Sequence, residues 1–252
     1  SLLRRPQRGS EPINWLAETV EWDEAGTLSA TIQLRETPWH DGEAVTADDV
    51  VFTYKFLRDT SLGEFETPVP TPWQRGRVSL VDSVDAPTDH RVHVEFATGN
   101  QSVAQRALLL PILPEHIWRE RAQTADLAGM EIAGQTTDAL VDSNEMAVGS
   151  GPLQFAAAEP EESLSLDVFS EHFLQTGDDD GIPERFTGEI AFERIEFTVT
   201  PSHNTAVRTL IDDGADATAD GLQASVVPRV IRENDVSLTT RQRYRFYHLG
   251  YN

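Results

Sequence analysis

The sequence contains no cysteine, which excludes disulfides, thiolate metal centres and a cysteine nucleophile. It is almost without lysine as well, since Lys55 stands alone among 20 basic residues and the others are arginines. No apolar run approaches the roughly 18 residues needed to span a bilayer. The opening stretch SLLRRPQRGSEP lacks the apolar centre of a signal peptide, so if the protein is exported its signal is expected to have been removed. Phosphate-cradling glycine patterns are missing, because neither G-x-G-x-x-G nor a Walker sequence occurs. Internal repeats and low-complexity tracts are absent too.

What the chain has in excess is negative charge: 42 Asp plus Glu against 20 Lys plus Arg, a formal charge of −22. Such a surface repels a phosphate backbone and an anionic membrane, so nucleic acid and membrane lipid are disfavoured as partners. The acids are spread along the whole chain rather than gathered in one block, which argues against a dedicated site for cationic ligands. A carboxylate-rich, lysine-poor surface resembles one selected for high salt, where carboxylates hold water and counter-ions and salt screens their repulsion. A halophilic, archaeal source is the expectation. With 252 residues and 39% hydrophobic content, the chain can bury a sizeable core as one large domain or two smaller ones.

Residues 27–35, TLSATIQLR, alternate cleanly and predict a half-buried strand with Leu28, Ala30, Ile32 and Leu34 on one side. The preceding LAETVEWDEAG predicts its hairpin partner, turning at Glu24, Ala25 and Gly26. In PWHDGEAVTADDVVFTYKFL (38–57), His40, Asp41 and Gly42 form a turn, and Thr46 with Asp49 predicts a capping box. Asp48 and Asp49 lie at the positive end of the helix that follows, and Val50, Val51, Tyr54 and Leu57 recur on one of its faces. Strands are expected at 77–84 and 91–97, and helices near 101–110 and 114–122. Residues 123–148 predict only helical fragments and loop. Strands near 152–158 and 163–169 follow, then the polar loop 175–189. A strand at 192–200, a helix ended by Gly214 and a helix over 222–234 interrupted by Pro228 come next, and VSLTTR and RYRFYHLG predict two closing strands.

No catalytic constellation emerges. Gly149-Ser150-Gly151 fails as a nucleophile elbow because Val148 and Pro152 occupy the places that need glycine. His90 and His93 would face opposite sides of a strand, and His116 has only Glu120 near it, so the histidines are expected at solvated surface. The DDDG run at 178–181 ends too early, at Glu184, for an EF-hand. The five tryptophans are scattered, which fits packing better than a stacking platform. No cofactor, no metal and no catalytic residue is expected.

Four separated segments nonetheless resemble the signature regions of the family 5 solute-binding proteins of ABC importers, which include oligopeptide-, dipeptide- and nickel-binding proteins. LRETPWHDGEAVTADDVVFTYKFLRD (34–59) is similar to the family's strand, W/F-H-D/N-G turn and T-A-x-D-V helix start nearly position by position. LLLPILPEHIW (108–118) is similar to a proline-ended segment with a P-x-H helix start. GSGPLQFAAAEPEESLSLDVFSEHF (149–173) resembles the G-T-G-P-Y/F strand and its partner, with Ser150 and Leu153 in place of the usual Thr and aromatic. RIEFTVTPSHNTAVRTLIDDGADAT (194–218) resembles the strand, helix and G-x-x-D turn, carrying Gly214 and Asp216. The closing HLGYN is like the aromatic-Asn step before the chain crosses between lobes.

The resemblance implies an α/β (α+β mixed-sheet) fold, periplasmic-binding-protein-like type II. It would hold the first lobe with its accessory subdomain, residues 1–148, and part of the central mixed-sheet domain, residues 149–252. Family chains are about twice as long, so the region building most of the second lobe is expected to lie beyond Asn252. The implied activity is capture, without turnover, of a peptide or other small solute outside the cell and its delivery to an ABC permease. The complete protein would be a monomeric lipoprotein anchored at the outer face of the cytoplasmic membrane. Position at the crossing makes Tyr247, Tyr251 and Asn252 candidates for solute contact, with Asp220 and Gly221 in the turn after the G-x-x-D segment. A sensory or scaffold domain on the same fold is the alternative, with a hydrolase behind it.

Overall fold

A computed structural model of the protein describes residues 1–6, 11–60, 62–63, 74–124, 147–177, 180–187, 190–218, 222–232 and 236–238. The chain divides into two compact units, residues 1–157 with 165–195 and residues 158–164 with 196–252.

In the first unit, the alternation of residues 28–34 produces one of the two inner strands of a four-stranded antiparallel sheet. Its strands are β3 (Ala17–Asp23), β4 (Ser29–Leu34), β5 (Val81–Thr88) and β6 (Arg91–Phe96), in the order β3-β4-β6-β5. Register is set by burial: Ala30 pairs with Val94 and Ile32 with Val92, and all four are fully buried. A slip of one residue would move every one of them to solvent. The hairpin turn needs glycine at Gly26, where φ is +118°. A small two-stranded ribbon, β1 (Leu3–Arg4) with β2 (Ile13–Asn14), flanks this sheet in sequence.

Helix α1 (Ala47–Arg58) covers the sheet, burying Val50, Phe52, Tyr54, Phe56 and Leu57. Burial of each such side chain contributes about 1.5–3 kcal/mol. The helix starts as its sequence predicts, with Thr46 and Asp49 in a capping box and Asp48 in the first turn. The expected strand at 77–84 begins later, because Arg75–Val78 forms a helical turn, α2, that buries Val78. The helix expected over 101–110 is split into α3 (Gln101–Ala104) and a 3₁₀ turn at Ala107–Leu109. Helix α4 runs Glu115–Thr124. Residues 125–146 lie outside the described residues.

Strands β7 (Leu153–Glu159), β8 (Ser163–Val168) and β9 (Arg194–Thr198) form a third sheet in that order. Within the first unit the Phe169 N–H donates to the Pro152 carbonyl at 2.9 Å and the Val168 N–H to the Glu193 carbonyl at 2.9 Å. Between β8 and β9 lies α5 (Phe173–Thr176), whose Phe173 joins the core of the first unit.

The second unit has its own small core of Val207, Val226 and Val230, built by α6 (His203–Ile211) and α7 (Val227–Val230). Pro228 stands in the first turn of α7 rather than interrupting a longer helix, a place where its missing N–H costs nothing. Helix α6 is left through Asp213, at φ +57°. Gly214 follows because space is short: a Cβ there would lie 2.9 Å from Thr209 Cγ2. The predicted closing strands fall mostly outside the described residues, and residues 236–238 are irregular. Among the described residues no helix is long and apolar enough to cross a membrane.

Candidate functional site

The W-H-D-G turn and its helix are tied by polar groups to two distant stretches of the first unit. Gly42, at φ +91°, closes the turn, and its N–H donates to the Trp39 carbonyl at 2.9 Å. Trp39 is buried and its indole N–H donates to Asp49 Oδ2 at 3.2 Å. The same Oδ2 accepts the Thr46 N–H at 2.8 Å, while Oδ1 accepts the Glu115 N–H at 2.8 Å. One buried carboxylate therefore serves the starts of both α1 and α4. One turn along α1, Thr53 Oγ1 accepts the Leu113 N–H at 2.9 Å. The Tyr54 hydroxyl donates to the Ala107 carbonyl at 2.9 Å, and burial raises its pKa above the usual phenol range.

His40 makes the other connection. Its backbone N–H donates to the Gly149 carbonyl at 2.8 Å. Its Nδ1 accepts the Gly149 N–H at 3.1 Å, and its Nε2 stands 2.9 Å from the Gly151 carbonyl. This pattern requires a neutral ring protonated on Nε2. Burial lowers the His40 pKa, partly opposed by the Gly151 carbonyl and by Asp41. Phe169, just past β8, meets the ring edge-on at 4.9 Å. The glycines of 149–151 thus let the backbone close on an imidazole; a Cβ on Gly149 would lie 3.3 Å from His40 Cε1.

Nearby, His172 is fully buried, contrary to the surface place expected of the histidines. Its Nδ1 accepts the Leu174 N–H at 3.2 Å, capping α5, and its ring lies 6.0 Å from Trp15. Burial pushes its pKa down to about 4, with His40 and Arg4 adding in the same direction. Arg35, also buried, donates from Nε to the Trp15 carbonyl at 2.9 Å and from a terminal nitrogen to the Asp180 carbonyl. Of the DDDG run, Asp180 is thereby held through its carbonyl by a buried side chain.

Glu43, Asp48, Glu115, His116, Arg119 and Glu120 line an open groove of about 480 Å³ between the starts of α1 and α4. Its charges are partly paired: His116 Nε2 lies 2.8 Å from Asp41 Oδ2, and Arg119 Nε donates to Glu115 Oε1 at 2.8 Å. Among the described residues no group of three or more His, Asp or Glu side chains is placed to hold a metal ion. Ser150 sits in the irregular stretch before β7, with no strand-to-helix elbow around it.

The residues expected to touch solute, Asp220, Gly221, Tyr247, Tyr251 and Asn252, all lie outside the described residues. What the sequence reading missed is the pairing of His40 with 149–151 and of Asp49 with Glu115. These contacts span 109 to 111 and 66 positions, and no local spacing announces them.

The model of the bacterial extracellular solute-binding proteins, family 5 (middle region), matches residues 11–252. The chain is 29% identical over 171 residues to the peptidoglycan-binding protein YepA of Agrobacterium fabrum, covering 65% of this chain and 23% of YepA. It is 23% identical over 242 residues to the oligopeptide-binding protein AppA of Bacillus subtilis, covering 94% of this chain and 38% of AppA. Among solved structures it is similar to B. subtilis AppA in complex with a nonapeptide, with a TM-score of 0.65, 20% identity and coverage of 93% of this chain and 40% of that one. A dipeptide-binding protein from Pseudoalteromonas sp. SM9913 in complex with Met-Leu gives a TM-score of 0.68 at 18% identity, with 93% and 43% covered. The fold is accordingly mixed α/β, of the periplasmic-binding-protein-like type II, and the chain spans well under half the length of these relatives.

Proposed function

This chain belongs to the bacterial extracellular solute-binding proteins, family 5, and from that membership we propose that the protein is the solute-capturing component of an ABC import system. In this reading it takes up a peptide or peptide-like small solute outside the cell and delivers it to a membrane permease. The observation that carries the reading is the family match across residues 11–252. Names of matched relatives, an oligopeptide-binding protein and a peptide-binding protein, favour peptide as the solute.

The physical work of such a protein is enclosure. Two lobes close on a hinge, water is excluded, and a few polar groups fix the ligand's orientation. In this reading no bond is broken, and the work asks for neither a nucleophile nor a metal. The polar groups of the W-H-D-G segment fit that division of labour, since they brace backbone.

Residues 1–148 serve as the accessory subdomain of the first lobe, and residues 149–252 supply part of the central mixed-sheet domain. Tyr247, Tyr251, Asn252, Asp220 and Gly221 contribute to the solute-facing surface. The complete protein is a monomer held at the outer face of the cytoplasmic membrane by a lipid anchor, and its surface is adapted to high salt. Purification of the complete gene product from its native host, followed by mass spectrometry of the small molecules it carries, tests the reading. Short peptides released on denaturation are expected; a carrier-free protein that binds no peptide from a mixed pool contradicts the assignment.

A further inference from the structure

Of the six asparagines in the sequence, Asn100 alone begins an N-x-S/T pattern, Asn100-Gln101-Ser102, the acceptor signal for N-linked sugar in secreted proteins. The pattern is short, and its weight depends on where it sits and which atoms it leaves open. It lies between β6 and α3, with Asn100 and Ser102 both exposed. Asn100 is the N-cap of α3, extended at φ −104° and ψ 108°, and its Oδ1 accepts the Val103 N–H at 3.1 Å.

That cap uses the oxygen of the amide and leaves the nitrogen. Nδ2, the atom a sugar would be joined to, has no hydrogen-bond partner among the described residues. Asn14 shows the opposite case, with its Nδ2 donating to the Glu18 carbonyl at 2.9 Å. Space is open as well, since a Cβ built on the neighbouring Gly99 would meet nothing within 4 Å. Replacing one Nδ2 hydrogen by a sugar keeps the amide planar and its oxygen on Val103, so the fold loses no hydrogen bond.

We propose that Asn100 is an N-glycosylation site, its Nδ2 carrying an oligosaccharide transferred from a lipid-linked phosphate or diphosphate donor. The Nδ2 lone pair attacks the anomeric carbon, the carbon–oxygen bond to the donor phosphate breaks, the phosphate departs with that electron pair, and Nδ2 gives up one proton. The new bond is a carbon–nitrogen glycosidic bond. The proposal rests on the extracellular reading, because the transfer takes place on chains that have left the cytosol.

The test uses the complete protein recovered from its native host, fractionated into cell-surface and cytosolic pools. Trypsin cuts after Arg91 and Arg106 and releases residues 92–106 as one peptide. The surface pool should yield that peptide at a mass raised by a whole number of sugar residues on Asn100. The increment should vanish in Asn100→Gln and Ser102→Ala and persist in Ser102→Thr, with unchanged circular dichroism in all three. An unmodified peptide from surface protein overturns the proposal and leaves the extracellular reading standing. Sugar on the hydroxyl of Thr98 or Ser102, released by mild alkali, also overturns it. Recovery from the cytosol alone overturns the extracellular reading and this proposal with it.

Discussion

Asp49 accepts N–H groups from Thr46, Trp39 and Glu115, which stand 3, 10 and 66 positions away in sequence. Asp49→Ala leaves these donors without their acceptor in a buried place, at about 1–3 kcal/mol for each. A loss of at least about 3 kcal/mol in unfolding free energy is expected from urea titration, summed at the low end of that range. A loss below about 1 kcal/mol would mean that water or another group replaces the carboxylate. His172 gives a prediction with pH. Its imidazole, ordinarily near 6.5, is pushed down to about 4, chiefly by burial. The unfolded chain therefore binds a proton in a range where the folded chain refuses it. Stability is full above pH 6.5 and falls as pH drops through the window from 6.5 to about 4. The shift corresponds to about 3 kcal/mol at the acid end. His40 acts in the same direction, since protonating Nδ1 would set it against the Gly149 N–H. His172→Asn keeps a cap for α5 and removes the titration, so urea midpoints measured between pH 7 and pH 4 should slope less steeply in the variant.

At the scale of elements, the helix α6 ending offers a local test. Gly214→Ala places a methyl group 2.9 Å from Thr209 Cγ2, an overpacking that costs about 1–3 kcal/mol. Thermal unfolding should show the loss, and Gly214→Ala with Thr209→Ser, which removes that methyl contact, should recover part of it. The same element shows what periodicity can and cannot deliver. The sequence places Gly214 at the end of α6, but Asp213 supplies the left-handed residue there, and the glycine answers to a neighbour's methyl group. Strands β4 and β6 were legible because one face of each is buried, β3 as the hairpin partner of β4, and α1 because its cap and apolar face agree. The strand expected from residue 77 was misplaced by four residues: Val78 is buried in a helical turn, α2, which alternation does not distinguish from a strand start. Pro228 was read as a break and stands at a start, for the ring tolerates only the first turn of a helix. The site was less legible than the fold. His40 is visible as a turn residue, but its grip on 149–151 is a tertiary fact with no local signature.

For the whole molecule, the formal charge of −22 makes salt a variable of stability. At about 0.1 M salt the screening length is about 10 Å, and near 1 M it shrinks to about 3 Å, suppressing the repulsion between carboxylates. Dialysis from molar salt into dilute buffer is expected to diminish the far-UV circular dichroism signal, and an unchanged spectrum would count against adaptation to high salt. The function proposed at this scale is enclosure without conversion. The most direct measurement is calorimetric titration of the complete gene product with short peptides, followed by chromatography of the peptide after hours of contact. Saturable heat with the peptide recovered intact is the predicted result; cleaved peptide, or no saturable binding of any peptide in a mixed pool, would contradict it.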